Sequence, residues 1–126
     1  MRLLLDTAVL IFAAEAPERL SRRATSVLED PENALEVSAV SLVEIAIKSG
    51  AGRLRLSRES VEQAMEDIGA RSLSFTAAHA FQMFQMSPRH RDPFDRQIIA
   101  QAIVEDVPVI TPDSDFRLYK GLRIIW

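Results

Sequence analysis

The stretch LLLDT at Leu3–Thr7 predicts a buried strand that ends at a carboxylate. Three successive leucines suit a strand covered on both faces, and Asp6 closes the run. The residues that follow, from Thr7 to about Ala14, are almost wholly apolar and predict a buried helix. We therefore expect the chain to begin with a strand and a helix that are joined directly at Asp6.

Strand and helix patterns alternate along the remainder of the chain. Further helices are predicted at about Glu18–Glu29, Ser41–Ser49, Ser57–Gly69, Asp92–Glu105 and after a capping Thr76, and further strands at about Leu35–Ala39, Arg71–Phe75, Val107–Thr111 and Leu122–Trp126. The helix after Thr76 is expected to bury the apolar side chains of Ala77, Ala80, Phe81 and Phe84. This alternation favours an α/β fold, one domain over residues 1–126, with a mostly parallel sheet and helices on both faces.

Composition excludes several classes of site. The 126 residues include no cysteine, which rules out disulfides, zinc-thiolate sites and thiol nucleophiles. No secretory leader and no apolar run long enough to span a membrane is evident, so a soluble cytoplasmic protein without membrane association is expected. The net charge of -3 has the wrong sign for bulk attraction to nucleic acid. Any contact with nucleic acid would therefore depend on two local basic clusters, Arg53 with Arg55 and Arg58, and Arg89, His90 and Arg91 with Arg96.

Four carboxylates stand where strands end or helices begin, and each has a structural explanation. Asp6 suits a helix N-cap, and Ser41 with Glu44 has the spacing of a capping box. Asp95 occupies the third helical position after an Asp92-Pro93 start. Asp113 is placed to cap the short turn around Asp115 and Phe116. Taken singly, each of these acids is better explained as a helix-start residue than as a catalytic one.

The predicted sheet changes that interpretation, because the carboxyl ends of parallel strands share one edge and ligands bind there. Asp6 ends the first strand, Glu44 follows the second, and Asp113 follows the strand at Val107–Thr111. These three acids are expected to converge. Asp95 begins the helix that leads into that strand, and we expect it one helix length away from the shared edge unless the helix is tilted or shifted.

A converged group of carboxylates needs a cation. Two carboxylates about 5 Å apart repel by roughly 3 kcal/mol at an effective dielectric near 20, so either a cation binds or some members take up protons. Oxygen ligands without His or Cys favour Mg²⁺ or Mn²⁺, and such an ion can activate water against a phosphodiester. No Ser-His-Asp or Cys-His arrangement competes, because His79 is expected to be structural and His90 to lie exposed in a loop.

Blocks along nearly the whole chain resemble a known family. They are Leu3–Thr7, Ser41–Lys48 with Gly52–Leu54, Asp92–Arg96 leading to Ala100–Ala102, Thr111–Asp113 with Phe116 and Tyr119, and the Ile124–Trp126 ending. In this order they resemble the PIN-domain ribonucleases, and among them the VapC-type toxins of toxin–antitoxin pairs. The resemblance implies a three-layer α/β/α fold and metal-dependent endonucleolytic cleavage of RNA. It also implies that the helix carrying Asp95 presents this residue to the same pocket as the other acids.

The resemblance implies roles for particular residues. Asp6, Glu44, Asp95 and Asp113 correspond to the family's acidic quartet, with Asp6 and Asp95 as the most direct metal ligands. Asp115 could replace or support Asp113. The resemblance does not specify whether the site binds one metal ion or two. Thr7 and Thr111 are candidates to hydrogen-bond the carboxylates, and Lys48 and Arg96 are candidates for phosphate contact.

The resemblance also implies partners. A VapB-type antitoxin is expected to occlude the acidic groove, and the chain is expected to form a homodimer. The RNA substrate is not specified, although the loop 87–91 is a candidate for setting it. The alternative hypothesis is a non-catalytic interaction module that keeps the PIN fold and binds a protein through the acidic groove.

Overall fold

In the computed structural model, which describes residues 1–88 and 92–126, five strands form one parallel sheet. The strands are β1 (Arg2–Leu5), β2 (Ala34–Ser38), β3 (Arg71–Leu73), β4 (Val109–Ile110) and β5 (Ile124–Ile125), in the spatial order β3-β2-β1-β4-β5. The helices are α1 (Thr7–Glu15), α2 (Arg22–Glu29), α3 (Ala39–Gly50), α4 (Arg58–Ile68), α5 (Ala77–Gln82) and α6 (Pro93–Glu105). The predicted roles of Arg89, His90 and Arg91 concern positions outside the described residues.

Strand β1 is the centre of the sheet and the boundary between two cores. Its three leucines are fully buried, as their run in the sequence predicts. Leu3 and Leu5 pack into one hydrophobic cluster with α1, α2 and α4, whereas Leu4 points into a second cluster with α6. Because successive strand residues face opposite sides of a sheet, this single strand holds a helix layer on each face. The predicted three-layer α/β/α architecture is confirmed.

Helix α6 runs antiparallel to the strands, and this direction corrects the expected position of Asp95. At the end of α6, Glu105 pairs with Arg2 at the start of β1, at 3.1 Å. Ten helical residues from Glu105 back to Asp95 span about 15 Å, and the four strand residues from Arg2 to Asp6 span about 13 Å. Asp95 therefore lies at the same edge as Asp6. The expectation of a full helix length between them was wrong, because a helix leading into a parallel strand begins at the edge where the preceding strands end.

Helix α3 begins at Ala39, two residues before the predicted start at Ser41. The cap is Ser38, whose side-chain oxygen accepts a hydrogen bond from the Val40 N–H at 3.0 Å. Ser41 lies inside the helix, and its Oγ accepts from the Thr7 hydroxyl at 2.8 Å. The capping box predicted for Ser41 and Glu44 is therefore wrong, and Glu44 loses its structural explanation as a helix-start residue.

The segment predicted as one helix from Glu18 to Glu29 is broken near its start. A 3-10 turn covers Pro17–Arg19, Leu20 is extended, and α2 starts after Ser21. The Ser21 side chain accepts from the Ala24 N–H at 3.0 Å, so a local cap replaces a continuous helical hydrogen bond. The helix at Ser57–Gly69 is confirmed, with Ser57 as its cap and left-handed Gly69 at its end.

Helix α5 buries a different face from the one predicted. Phe81 and Phe84 are 68% and 85% exposed, and their rings stack on each other with centroids 6.2 Å apart. The inward position belongs to His79, which accepts from the Thr76 N–H and lies 3.0 Å from a Glu105 carboxylate oxygen. The helix ends at Gln82 in a 3-10 turn, so the helical period does not continue to Phe84. The structural role predicted for His79 is confirmed.

The last two strands are shorter than predicted. Only Val109 and Ile110 of the stretch Val107–Thr111 are paired as β4, and only Ile124 and Ile125 of the final stretch as β5. Pro108 contributes an acceptor alone, taking the Leu4 N–H at 2.9 Å, because proline has no N–H to continue the ladder. In the described part of the chain, no helix is both long and apolar enough to cross a bilayer.

Replacing the cap of α3 tests where this helix begins. Ser38→Ala should lower the free energy of unfolding by about 1 kcal/mol, because the Val40 N–H loses its acceptor. Urea denaturation measures the effect, and Ser72→Ala on exposed β3 is the control, expected to change stability by less than about 0.5 kcal/mol. A Ser38→Ala variant with the same free energy of unfolding as the wild type would contradict Ser38 as the cap of α3.

Candidate active site

Asp6 is held at the carboxyl edge of the sheet by the two elements it joins. Its backbone N–H donates to the Ile110 carbonyl at 3.0 Å, which extends the pairing of β1 with β4 by one residue. Its own carbonyl accepts the N–H groups of Val9 and Leu10 at the start of α1. The residue is only 5% exposed. The Asp6 backbone is thus held on both sides, and its carboxylate is largely removed from water.

The surroundings of Asp6 disfavour its charge. The pKa of this carboxyl is raised to about 6, chiefly by burial and to a smaller extent by the negative charges of Glu44 and Asp113. The Thr111 hydroxyl, which donates to Oδ2 at 2.7 Å, and the Thr7 backbone N–H act in the opposite direction. These two hydrogen bonds lower the pKa by less than burial raises it. A cation at this position would stabilise the ionised form.

Thr111 connects two of the acids. Its hydroxyl donates to Asp6 and accepts the backbone N–H of Asp113 at 3.0 Å. Asp113 in turn caps the 3-10 turn Ser114–Leu118, since its Oδ1 accepts the Asp115 N–H at 2.9 Å. The Asp113 side chain is half-buried and its charge acts on Asp6, whereas Asp115 is exposed. The cap predicted for Asp113 is confirmed.

Glu44 reaches the same site from α3. It is 4% exposed, and its Oε2 forms an ion pair with the ammonium of Lys48 one turn later. Its other oxygen, Oε1, is buried and has no hydrogen-bond partner among residues 1–88 and 92–126. A buried carboxylate oxygen is normally satisfied, so this atom marks a place where a donor or a cation fits.

Asp95 and Arg96 stand on the first turn of α6. Asp92 caps this helix by accepting the Phe94 N–H at 2.9 Å, and half-buried Asp95 follows in the first turn. The Arg96 guanidinium donates to the Ser87 carbonyl at 2.8 Å and to the Tyr119 hydroxyl at 3.3 Å. Arg96 therefore ties the segment before α6 to the turn after β4.

The donor set suits a hard divalent ion. Carboxylate oxygens come from β1, α3 and the turn after β4, and the charges of Glu44 and Asp113 both act on Asp6. Within residues 1–88 and 92–126, however, no three His, Asp or Glu side chains are gathered closely enough to surround one ion. Binding an ion would thus require these side chains to turn towards it.

Three contacts at the site were missed by the sequence analysis. The pairing of Glu44 with Lys48 has a visible signal, because residues four apart lie on the same face of a helix. Thr7 was expected to hydrogen-bond a carboxylate and does so through its backbone N–H to Asp6, while its hydroxyl donates to Ser41. This contact and the one between Arg96 and Tyr119 join residues that are distant in sequence, and no local pattern indicates them.

The comparisons with known proteins agree with this architecture. A family model described as PIN domain matches residues 3–122. Among solved structures, a chain of VapBC2 from Rickettsia felis bound to a promoter DNA fragment superposes with a TM-score of 0.76 at 17% identity, covering 99% of this chain and 98% of that one. A chain of DNA-bound VapBC from Salmonella typhimurium gives 0.73 at 18% identity, with coverages of 99% and 97%.

A third similar structure comes from Mycobacterium tuberculosis. A chain of its VapBC-5 toxin-antitoxin complex gives a TM-score of 0.67 at 21% identity, and the match covers 98% of this chain and 97% of that one. No curated protein matches the sequence. At these identities the solved structures establish the fold.

The raised pKa of Asp6 predicts a pH-dependent stability in metal-free buffer. The folded state binds this proton more tightly than the unfolded chain, in which the Asp6 pKa is near its ordinary value of 3.8. The stabilisation of the folded state by protonated Asp6 is complete below pH 3.8 and is lost as the pH rises through about 6. Asp6→Asn should therefore stabilise the protein by up to about 3 kcal/mol near neutral pH, and by little at about pH 4.

Chemical denaturation across this pH range measures the difference. Asp67→Asn, which removes an exposed carboxylate on α4, is the control and should leave the curve close to that of the wild type. A pH-independent effect of Asp6→Asn would contradict the raised pKa.

Proposed function

The chain belongs to the PIN-domain family, and from this premise we propose that it is a metal-dependent endoribonuclease of the VapC type. In this proposal it hydrolyses RNA phosphodiesters and acts as the toxin of a toxin–antitoxin pair. The likeness to chains from three VapBC complexes over nearly their whole length supports the assignment to this branch of the family.

The observation that carries the proposal is the pair of buried acids Asp6 and Glu44. Both are about 95% buried at the carboxyl edge of the sheet, and the charge of Glu44 raises the pKa of Asp6. Burying two interacting carboxylates is unfavourable for folding unless a cation compensates them. Such a cost is typical of a functional site, and Glu44 Oε1, which has no hydrogen-bond partner in the described part of the chain, is available as a ligand atom.

In this proposal the metal is held by Asp6, Glu44, Asp95 and Asp113. Mg²⁺ or Mn²⁺ bound at their oxygens would acidify a water molecule and neutralise charge on the scissile phosphate. The Thr111 hydroxyl orients Asp6 through its hydrogen bond to Oδ2. The same hydroxyl accepts the Asp113 backbone N–H, and so it links the end of β1 to the turn after β4. Burial excludes bulk water from Asp6 and so strengthens its interaction with a cation.

Asp113, rather than Asp115, is the fourth acid of this proposal. The Asp113 charge acts on Asp6, and the residue is half-buried beside Thr111. Asp115 is exposed and contributes its backbone N–H to the Asp113 cap. Its place in the turn is explained by that hydrogen bond alone.

The proposed partners follow from the charge of the site and from the matched complexes. A groove that gathers carboxylates at one edge attracts a basic segment, so an antitoxin of the VapB type would occlude it with cationic side chains. A homodimer is also proposed, as the resemblance to VapC-type toxins implies. Arg96 and Lys48 remain candidates for contact with RNA phosphate.

Removing a single carboxylate tests the mechanism. Asp6→Asn and Asp95→Asn should each reduce RNA cleavage in Mn²⁺ by at least about a hundredfold and abolish growth inhibition, because the ion loses a charged ligand. Cleavage of a labelled RNA pool and the growth of induced cells measure the two effects. Asp67→Asn, with one exposed charge removed from α4, should retain wild-type activity.

Circular dichroism should show that these variants remain folded. Wild-type cleavage should stop in EDTA and return when Mn²⁺ is added. An Asp6→Asn protein that cuts as fast as wild type would overturn the mechanism. A wild-type protein that binds a protein partner through the four acids but cuts no RNA would favour the non-catalytic module instead.

A paired substitution separates Asp113 from Asp115. Asp113→Asn should reduce cleavage strongly while preserving the turn, because asparagine also accepts the capping hydrogen bond from the Asp115 N–H. Asp115→Asn should change the rate by less than about threefold, a difference in activation free energy under about 1 kcal/mol. Equal losses in both variants would contradict the assignment of Asp113 alone, and initial rates on the same RNA provide the comparison.

A further inference from the structure

Glu44 and Lys48 form an ion pair at the inner edge of the site. The Lys48 ammonium contacts Glu44 Oε2, while Oε1 is buried and has no hydrogen-bond partner among the described residues. The Glu44 side chain is 5% exposed and the Lys48 side chain 35%. The ammonium therefore approaches the carboxylate from the solvent side and contacts only one of its two oxygens.

The two buried acids are compensated differently. Asp6 receives hydrogen bonds from a hydroxyl and a backbone N–H, and no cation contacts it in the described part of the chain. Glu44, equally buried and close enough to affect Asp6, receives a full positive charge. A single lysine thus supplies the cationic charge that a group of neighbouring carboxylates requires when no ion is bound.

We propose that Lys48 is an internal counter-ion that occupies Glu44 Oε2 and is displaced when a divalent ion binds the carboxylates. This inference rests on the proposed metal site and adds a regulatory role for a residue that supplies no ligand. Lys48 is a positioning residue in this scheme: it holds the Glu44 carboxylate in place through the contact with Oε2, and it lowers the affinity for the ion.

The side chain of Lys48 suits such an exchange. Lysine has four rotatable methylene links and a strongly hydrated head group, so its ammonium can leave Oε2 for water with little strain. The helical spacing of four residues keeps it within reach of Glu44 for return. A divalent ion carries twice the charge and can interact with Asp6 and Asp113 as well, which Lys48 cannot do simultaneously. The released ammonium would stand at the solvent side of the site, where it could contact a phosphate.

Mn²⁺ affinity measured by calorimetry in the absence of RNA tests the exchange. Lys48→Met should bind Mn²⁺ about tenfold more tightly than wild type, because the ion no longer competes with an ammonium. Lys48→Arg, which retains a cation able to pair with Glu44, should bind as wild type does. Arg53→Gln is the matched control, since it removes an exposed positive charge just beyond α3 without removing the contact to Glu44.

A double-mutant cycle identifies the group through which Lys48 acts. In a Glu44→Gln background, Lys48→Met should change the Mn²⁺ affinity by less than about twofold, because the contested ligand is gone. An effect of Lys48→Met that persists in this background, or that Arg53→Gln reproduces, would overturn the inference in favour of a general charge effect. Equal Mn²⁺ affinities of wild type and Lys48→Met would also overturn it.

These outcomes are distinct from failure of the proposed function. A wild-type protein that binds no Mn²⁺ at all would overturn the metal site itself, and the counter-ion role with it. A wild-type protein that binds Mn²⁺ in an Asp6-dependent manner, with no response to Lys48→Met, would leave the metal site standing and reject only the exchange.

Discussion

The burial of the Asp6 carboxylate at the end of the central strand is the constraint on which the candidate site depends. The backbone of this residue is held in place, because its N–H belongs to the pairing with β4 and its carbonyl accepts the first N–H groups of α1. The carboxylate is therefore held where its charge is unfavourable, and its pKa rises to about 6. The fold maintains this arrangement through the surrounding sheet and helices, and a bound cation would turn it into a favourable one.

The rigidity of that position comes from the two cores that meet at β1. Leu3 and Leu5 are buried in one and Leu4 in the other, so the strand is clamped between two helix layers. Glu44 and Asp95 arrive from α3 and α6, which pack on this sheet, and Asp113 arrives from the turn after β4. Each acid is thus carried by an element whose place is set by apolar packing. The electrostatic cost at the site is offset by hydrophobic burial elsewhere in the domain.

The local sequence predicted the elements well where one signal dominated. Ser57 and Gly69 bracket α4, and Asp92 with Pro93 begins α6, because caps and proline act through their own backbone neighbours. Prediction failed where two local signals competed. Ser38 and Ser41 both suit a helix cap, and the end of β2 at Ser38 decided between them. For Phe81 and Phe84, apolar character indicated burial, whereas the short helix turned them outwards and placed His79 inside.

The sequence by itself determined the alternation of strands and helices, the buried strand at Leu3–Leu5 and the presence of four acids near element ends. These features depend on side chains and neighbours within a few residues. Only the tertiary structure decided which edge Asp95 occupies and that Thr111 joins Asp6 to Asp113. It also decided that one Glu44 oxygen pairs with Lys48 while the other has no hydrogen-bond partner among the described residues. These facts depend on the direction of α6 and on contacts between residues as far apart as Asp6 and Thr111, and packing creates such contacts without a trace in local spacing.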